Sequence, residues 1–300
     1  MDSASCALVR KAIESGSLPD KSVVRIGELL NSFKYAYPAP KDSKPIAVSA
    51  EIADALWNPT HQILRIGIQA KELNWSKRKP FNLVFLIDTS GSMAGDNRLG
   101  LVKKSFKMIV ENLGDKDSIG IVTHAGVSKV ALMPTTDKLK VLDSIDSLEA
   151  RGSTDGASGI IDAYKLAKEH FIKGGFNRVI LATDGNFNVG VTSESELVDL
   201  IKNQAQNSVY LSVFGYGMGN YKDSILQKLA DLGNGNYAYI DTLLEAKNIL
   251  LGKWVLLYSL WQKMSRFRWS LIPKKCIFIG YEKRLLNDEN FNDDTNGFGA

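Results

Sequence analysis

From residue 81 onward, short apolar runs alternate with helix-period segments, and few folds accommodate that order. The runs 81–87, 118–124, 128–133, 178–183, 208–214 and 236–240 predict strands. Between and after them, 97–113, 137–148, 157–172, 194–206, 222–232 and 242–251 predict helices. Leu101, Val102, Phe106, Ile109, Val110 and Leu113 recur at helical spacing and mark a core-facing stripe. Only a few residues separate the second run from the third, so the third strand is expected as an antiparallel edge. The expected architecture is α/β: a doubly wound, mostly parallel, Rossmann-like sheet.

A smaller α+β module is expected ahead of it. Residues 8–15 and 22–33 read as short helices joined at Gly16 and Pro19. Pro38, Pro40 and Pro45 then break the chain before strands at 45–51 and 62–70. The basic triplet Lys77-Arg78-Lys79, followed by Pro80, reads as a solvated hinge turn. Expected boundaries are 1–79, 80–251 and 252–300. The stretch 252–276 holds three of the five tryptophans and lacks strand alternation, and a recognisable pattern resumes only at Ile277-Phe-Ile-Gly-Tyr281. A diverged amphipathic stretch and a reading-frame slip over 253–275 both explain it; an intact frame on resequencing excludes the second.

The chain's chemistry concentrates where the first strand ends. Phe81 to Ile87 runs directly into Asp88-Thr89-Ser90-Gly91-Ser92, which delivers one carboxylate and two hydroxyls to one loop. These are hard oxygen donors, suited to a small divalent cation. Gly91 is expected to let the backbone bend so that both serines face one point. An Asp/Ser turn capping the next helix is the plainer reading of the pentapeptide. Two more segments favour the metal: Gly152-Ser-Thr154-Asp-Gly156 before a helix, and Asp184-Gly185 after the strand 178–183. In an open parallel sheet, loops leaving the carboxyl ends of the strands converge on one crevice.

Asp88-x-Ser90-x-Ser92, Thr154 and Asp184 in this order resemble the von Willebrand factor type A domain and its metal-ion-dependent adhesion site, over roughly residues 80–250. Ala150-Arg-Gly-Ser-Thr154, Asn177 to Gly185 and Gly217-Met-Gly-Asn-Tyr221 resemble a bacterial branch with flanking modules at both ends. Trp57-Asn-Pro59, Leu64-Arg-Ile-Gly67, Gly280-Tyr-Glu-Lys-Arg284 and Asp293-Asp294 carry the likeness beyond the A domain. The resemblance makes 252–300 an incomplete or diverged C-terminal module. It implies Mg²⁺, with Ser90, Ser92 and Thr154 as direct ligands and Asp88 and Asp184 holding metal-bound waters. Mn²⁺ or Ca²⁺ fits the same ligand types. Two carboxylates leave a dication electrophilic, and a partner's Glu or Asp completes it in this family. The chain therefore reads as a protein-binding module, not an enzyme. Asn186 departs from the branch, which commonly has an acidic residue there; cation affinity should fall modestly.

Rival readings lose on particular positions. Ser90 stands where a phosphate-transfer enzyme built on Asp88 would place a second carboxylate. An EF-hand at Asp184 fails at Val189 and Ser195. No phosphate loop ends in Gly-Lys-Ser/Thr, so no nucleotide is expected. The runner-up is a metal-dependent hydrolase using His124, at the end of the second strand, as base; a structural hydrogen bond is the plainer role for that residue. The net charge of +4 arises in residues 246–281, which hold seven Lys/Arg and no Asp/Glu, so the remainder is net acidic and shows no nucleic-acid groove. Cys6 and Cys276 lack metal-ligand spacing and read as free thiols, a disulfide remaining open. No signal peptide or membrane span is read, although the branch lies on the bacterial envelope. The expectation is a fragment or a cytosolic form, with any membrane contact through a lost N-terminal anchor.

Overall fold

The computed structural model describes residues 4–33, 35–41, 44, 46–71, 78–153, 156–185, 194–217 and 223–253. Its centre is a six-stranded sheet of β3 (Phe81–Asp88), β4 (Ser118–Ala125), β5 (Val127–Thr135), β6 (Phe176–Thr183), β7 (Val209–Tyr216) and β8 (Tyr237–Ile240). The order is β5-β4-β3-β6-β7-β8, parallel throughout except for β5, which runs antiparallel at one edge as its short connection to β4 requires. Every residue of β3 and β6 is buried. That explains the apolar runs at 83–87 and 179–182, since helices cover a parallel sheet on both faces.

The helices are α3 (Leu99–Glu111), α4 (Lys138–Asp146), α5 (Gly156–Glu169), α6 (Glu194–Gln206), α7 (Asp223–Leu232) and α8 (Leu243–Lys247). Leu83, Phe85 and Ile87 point into one core with the predicted stripe of α3; Val84 and Leu86 point into the other with α5, α6 and α7. The chain leaves β3 toward β4 and leaves β6 toward β7, in opposite directions, so the carboxyl ends of β3 and β6 flank the switch point where such sheets open a crevice. The predicted helix 242–251 is α8 followed by a π-helical turn, Asn248–Lys253.

The N-terminal region differs from expectation in informative ways. Its first helix, α1 (Ala4–Glu14), starts four residues earlier than predicted because Ala4 and Ala7 are fully buried against the core cluster containing Leu211, Tyr237 and Tyr239. Arg10 donates to both carboxylate oxygens of Asp241 at 2.8 Å, and Lys11 Nζ reaches the Tyr239 hydroxyl at 2.8 Å. The predicted helix 22–33 is two pieces, a 3₁₀ turn at Lys21–Val23 capped by the Asp20 carboxylate and α2 (Ile26–Ser32). Beyond them, β1 (Ile46–Asp54) and β2 (Gln62–Ala70) form a separate antiparallel ribbon.

Arg78 corrects the solvated-turn reading of the basic triplet; Lys77 lies outside the described residues. Lys79 is exposed, but the Arg78 side chain is 7% exposed and pairs with Asp117. Its guanidinium lies 4.1 Å from the centre of the Phe81 ring. Among the described cysteines Cys6 is a free thiol; Cys276 lies outside the described residues.

Burial pushes the Tyr164 and Tyr216 phenols above their ordinary range. A phenol whose folded value is raised stays protonated while the unfolded chain ionises, so its contribution is intact below about pH 10 and is lost above it. Unfolding free energy should therefore fall from about pH 10 upward. In spectrophotometric titration at 295 nm these two tyrosines should ionise only as the fold is lost.

Candidate metal centre

Strand β3 carries Asp88 to the rim of the sheet as its last residue, wholly buried. One carboxylate oxygen, Oδ1, accepts the Ser90 amide at 2.9 Å, and the other, Oδ2, accepts the Thr183 hydroxyl at 2.9 Å. Each oxygen keeps a second lone pair. The chain then turns into a short 3₁₀ segment, Gly91–Met93, which brings the Ser90 and Ser92 hydroxyl oxygens within 3.0 Å of each other. Asp184 lies just past the end of β6, beside β3 in parallel register, and is 7% exposed. Thr183 links the two carboxylate-bearing loops, because it donates to Asp88 and accepts the Gly185 amide at 3.2 Å.

Thr154 lies outside the described residues, as do Asp155 and Asn186. Its loop is described as far as Ser153, and backbone hydrogen bonds tie it to the serine loop. The Gly91 amide donates to the Gly152 carbonyl at 2.9 Å, and the Arg151 amide donates to the Thr89 carbonyl at 2.7 Å. Gly91 does not adopt the left-handed region, so the expected bend does not itself require a glycine there. A Cβ there would stand 3.4 Å from the Gly152 oxygen, an ordinary contact that a small side chain could make. Gly152 does require its freedom, with φ +80° and the Ala125 carbonyl 3.2 Å from where a Cβ would sit.

The described donors fit a small hard cation. An octahedral ion with bonds of about 2.0–2.1 Å sets neighbouring ligands about 2.9 Å apart. The hydroxyls of Ser90 and Ser92 already hold 3.0 Å. Among the described residues no cluster of three or more His, Cys, Asp or Glu offers a softer or more anionic site. Ser90 and Ser92 would supply neutral oxygens to such an ion, while Asp88 and Asp184 would supply the charge.

His124 does not suit the base that the hydrolase reading asks of it. It is the register partner of Asp88 on β4, yet it is fully buried beneath α5. A Cβ on Gly159 would lie 3.0 Å from the His124 Cβ and 3.2 Å from its Cδ2. An imidazole closed off by a helix cannot meet a substrate arriving at the rim.

Two residues of the site escaped the sequence reading. Thr183 reads in the sequence as the end of an apolar strand, but it falls in step with Val179 and Leu181, and a hydroxyl on that buried face is a signal. Arg98, just ahead of α3, donates from Nη1 to the Ser92 carbonyl at 2.6 Å. Nothing in its sequence neighbourhood marks that contact.

A mostly parallel sheet with an Asp-x-Ser-x-Ser loop at its switch point defines the A-domain class. Residues 83–186 match the model of the von Willebrand factor type A domain, and residues 1–65 match a model described as von Willebrand factor. The chain belongs to the bacterial von Willebrand factor type A domain proteins. It is similar to the Escherichia coli (strain K12) protein described as uncharacterized protein YfbK, at 41% identity over 98% of this chain and 53% of that one. A Synechocystis protein described as uncharacterized protein sll0103 is 26% identical over 63% of this chain and 44% of its own length. The chain thus spans about half the length of these curated relatives. In solved structures the fold recurs in BatB from Bacteroides thetaiotaomicron, with TM-score 0.50 and 20% identity, covering 60% of this chain and all of that one. It recurs in a von Willebrand factor type A protein from Catenulispora acidiphila, with TM-score 0.51 and 16% identity, over 72% of this chain and 51% of that one.

Proposed function

We propose that this chain is a cation-dependent protein-binding module, in which a divalent ion held by Ser90, Ser92 and Thr154 bridges to an Asp or Glu of a partner protein. Asp88 and Asp184 orient the ion's waters and leave it short of negative charge, so an external carboxylate is its preferred completion. The observation that carries this reading is the paired serine hydroxyls at 3.0 Å, fixed beside a carboxylate whose two oxygens are each anchored by one hydrogen bond. Mg²⁺ suits three small hydroxyl donors best, with Mn²⁺ and Ca²⁺ as competitors. No catalytic role is proposed. The partner meets the rim of the sheet, and membership of the bacterial family favours an envelope location. Among the described residues no helix is long and apolar enough to cross a membrane. We propose modules at 1–79, 80–251 and 252–300; the packing of Ala4 and Ala7 into the core of the sheet ties the first to the second.

Partner capture from an extract of the source organism, with Mg²⁺ and with EDTA, tests the reading. Capture should need the cation and should be abolished in Thr154→Ala, with the melting temperature nearly unchanged. Capture indifferent to EDTA would count against the bridge. Collapse of the fold in Thr154→Ala would assign that residue a structural role instead.

A further inference from the structure

The ribbon of β1 and β2 carries an unsatisfied interior. Its antiparallel register pairs Ile46 with Ala70, Val48 with Ile68, Ala50 with Ile66, and Ile52 with Leu64, all on one face. Every one of these side chains is apolar, yet Val48, Ile52, Leu64 and Ile68 are 46, 67, 43 and 45% exposed. The opposite face is mixed, with Ser49, Glu51, Arg65 and Gln69 among Ala47, Ala53 and Ile63, and is covered at one end. Tyr37 packs over Gly67 there, stacked on Tyr35 at 5.3 Å, with the Arg65 guanidinium 5.5 Å from the Tyr37 ring. Tyr37 thus covers the opposite face only around Gly67, while Glu51 and Arg65 stay in solvent as charged groups do. The apolar face stands open although its side chains are the ones that gain from burial. An isolated ribbon of this kind is marginal in water.

We infer that the apolar face is the docking site for this chain's own segment Ile277-Phe-Ile-Gly-Tyr281, independently of the cation reading. Three considerations select that occupant. The segment joins four large apolar residues in strand-like order, while the described chain ends at Lys253. The intervening residues 254–276 can span about 80 Å when extended, enough to reach any part of the molecule. The third consideration is area. Nine residue pairs make a face on the order of 30 Å by 10 Å, or roughly 300 Å². Specific dimers bury about 800 Å² per partner, so a second copy gains too little here. A tethered segment acts at millimolar effective concentration and needs no such area. The ribbon of β1 and β2 and the segment 277–281 would then join as one flanking unit beside the A domain.

Carbene footprinting of the full chain tests this at several protein concentrations. Val48, Ile52, Leu64 and Ile68 should label weakly at every concentration, and several-fold more strongly in the double variant Ile277→Glu/Ile279→Glu. Phe85 and Phe214 should stay unlabelled in both, which reports an intact A domain. Strong labelling of the face in the unaltered chain would overturn the proposal. Protection that disappears on dilution would also overturn it, by assigning the face to a second copy. Should the glutamates expose Phe85, the milder Ile277→Ala/Ile279→Ala pair decides: unchanged labelling of the ribbon with an intact core would sink the idea.

Discussion

Asp117→Ala is expected to destabilise the protein by about 3–5 kcal/mol, the cost of stranding one member of a buried ion pair. The carboxylate accepts from Arg78 through both oxygens, from the Phe81 amide at 2.9 Å and from the Gly114 amide at 2.7 Å. Alanine leaves a buried guanidinium and two amide donors without their acceptor, at the point where the chain enters the central strand of the sheet. The Arg78 guanidinium would retain neutral contacts, among them the Lys79 carbonyl at 3.1 Å and the Phe81 ring, but no carboxylate from Asp117. The double replacement Arg78→Met/Asp117→Leu should lose much less than the two single changes together, because an apolar pair removes the stranded charge as well as its partner. Urea unfolding followed by circular dichroism measures both. A loss below about 1 kcal/mol in Asp117→Ala would mean that solvent reaches the guanidinium and the clamp is weak.

The pair also shows where sequence reading stops. Lys77-Arg78-Lys79 looks like a solvated turn because nothing local distinguishes the middle residue, and its partner stands 39 positions away in another turn. The strands were legible because burial on both faces forces apolar runs at their centres, as residues 83–87 and 179–182 show. The α3 stripe was legible for the matching helical reason. The start of α1 was not, since Ala4 and Ala7 become core only through β8, far along the chain. Small side chains give no periodic signal by themselves.

At the candidate site the legible part is what one stretch of chain contains. Asp88, Ser90 and Ser92 share a loop, and their spacing alone brings them to one point. Asp184 follows from topology, since parallel strands deliver their carboxyl ends to the same rim. The bonds between loops, Gly91 to Gly152 and Arg151 to Thr89, join backbone atoms and leave no trace in side-chain type. Backbone lacing of this kind gives the serine loop its shape, whereas the side chains give it chemistry.

In Asp88→Ala, affinity for Mg²⁺ or Mn²⁺ should fall 10–100-fold, the usual effect of losing a group that orients a metal's inner shell. The residue does two things at once: it brings charge to the rim, and it holds the Ser90 amide and the Thr183 hydroxyl in place. The variant Asp88→Asn separates these roles. It retains one acceptor oxygen, so the loop should stay folded, yet it removes the charge and should lose most of the affinity. Thermal unfolding with and without the cation reads this without knowledge of any partner. At a hundredfold excess over its dissociation constant, a bound ion stabilises the native state by about 2.7 kcal/mol. The unaltered chain should therefore show a cation-dependent rise in Tm that both variants largely lose at the same concentration. Equal rises in all three would place the ion elsewhere. A rise retained in Asp88→Asn but lost in Asp88→Ala would make loop geometry, not charge, the larger contribution of this carboxylate.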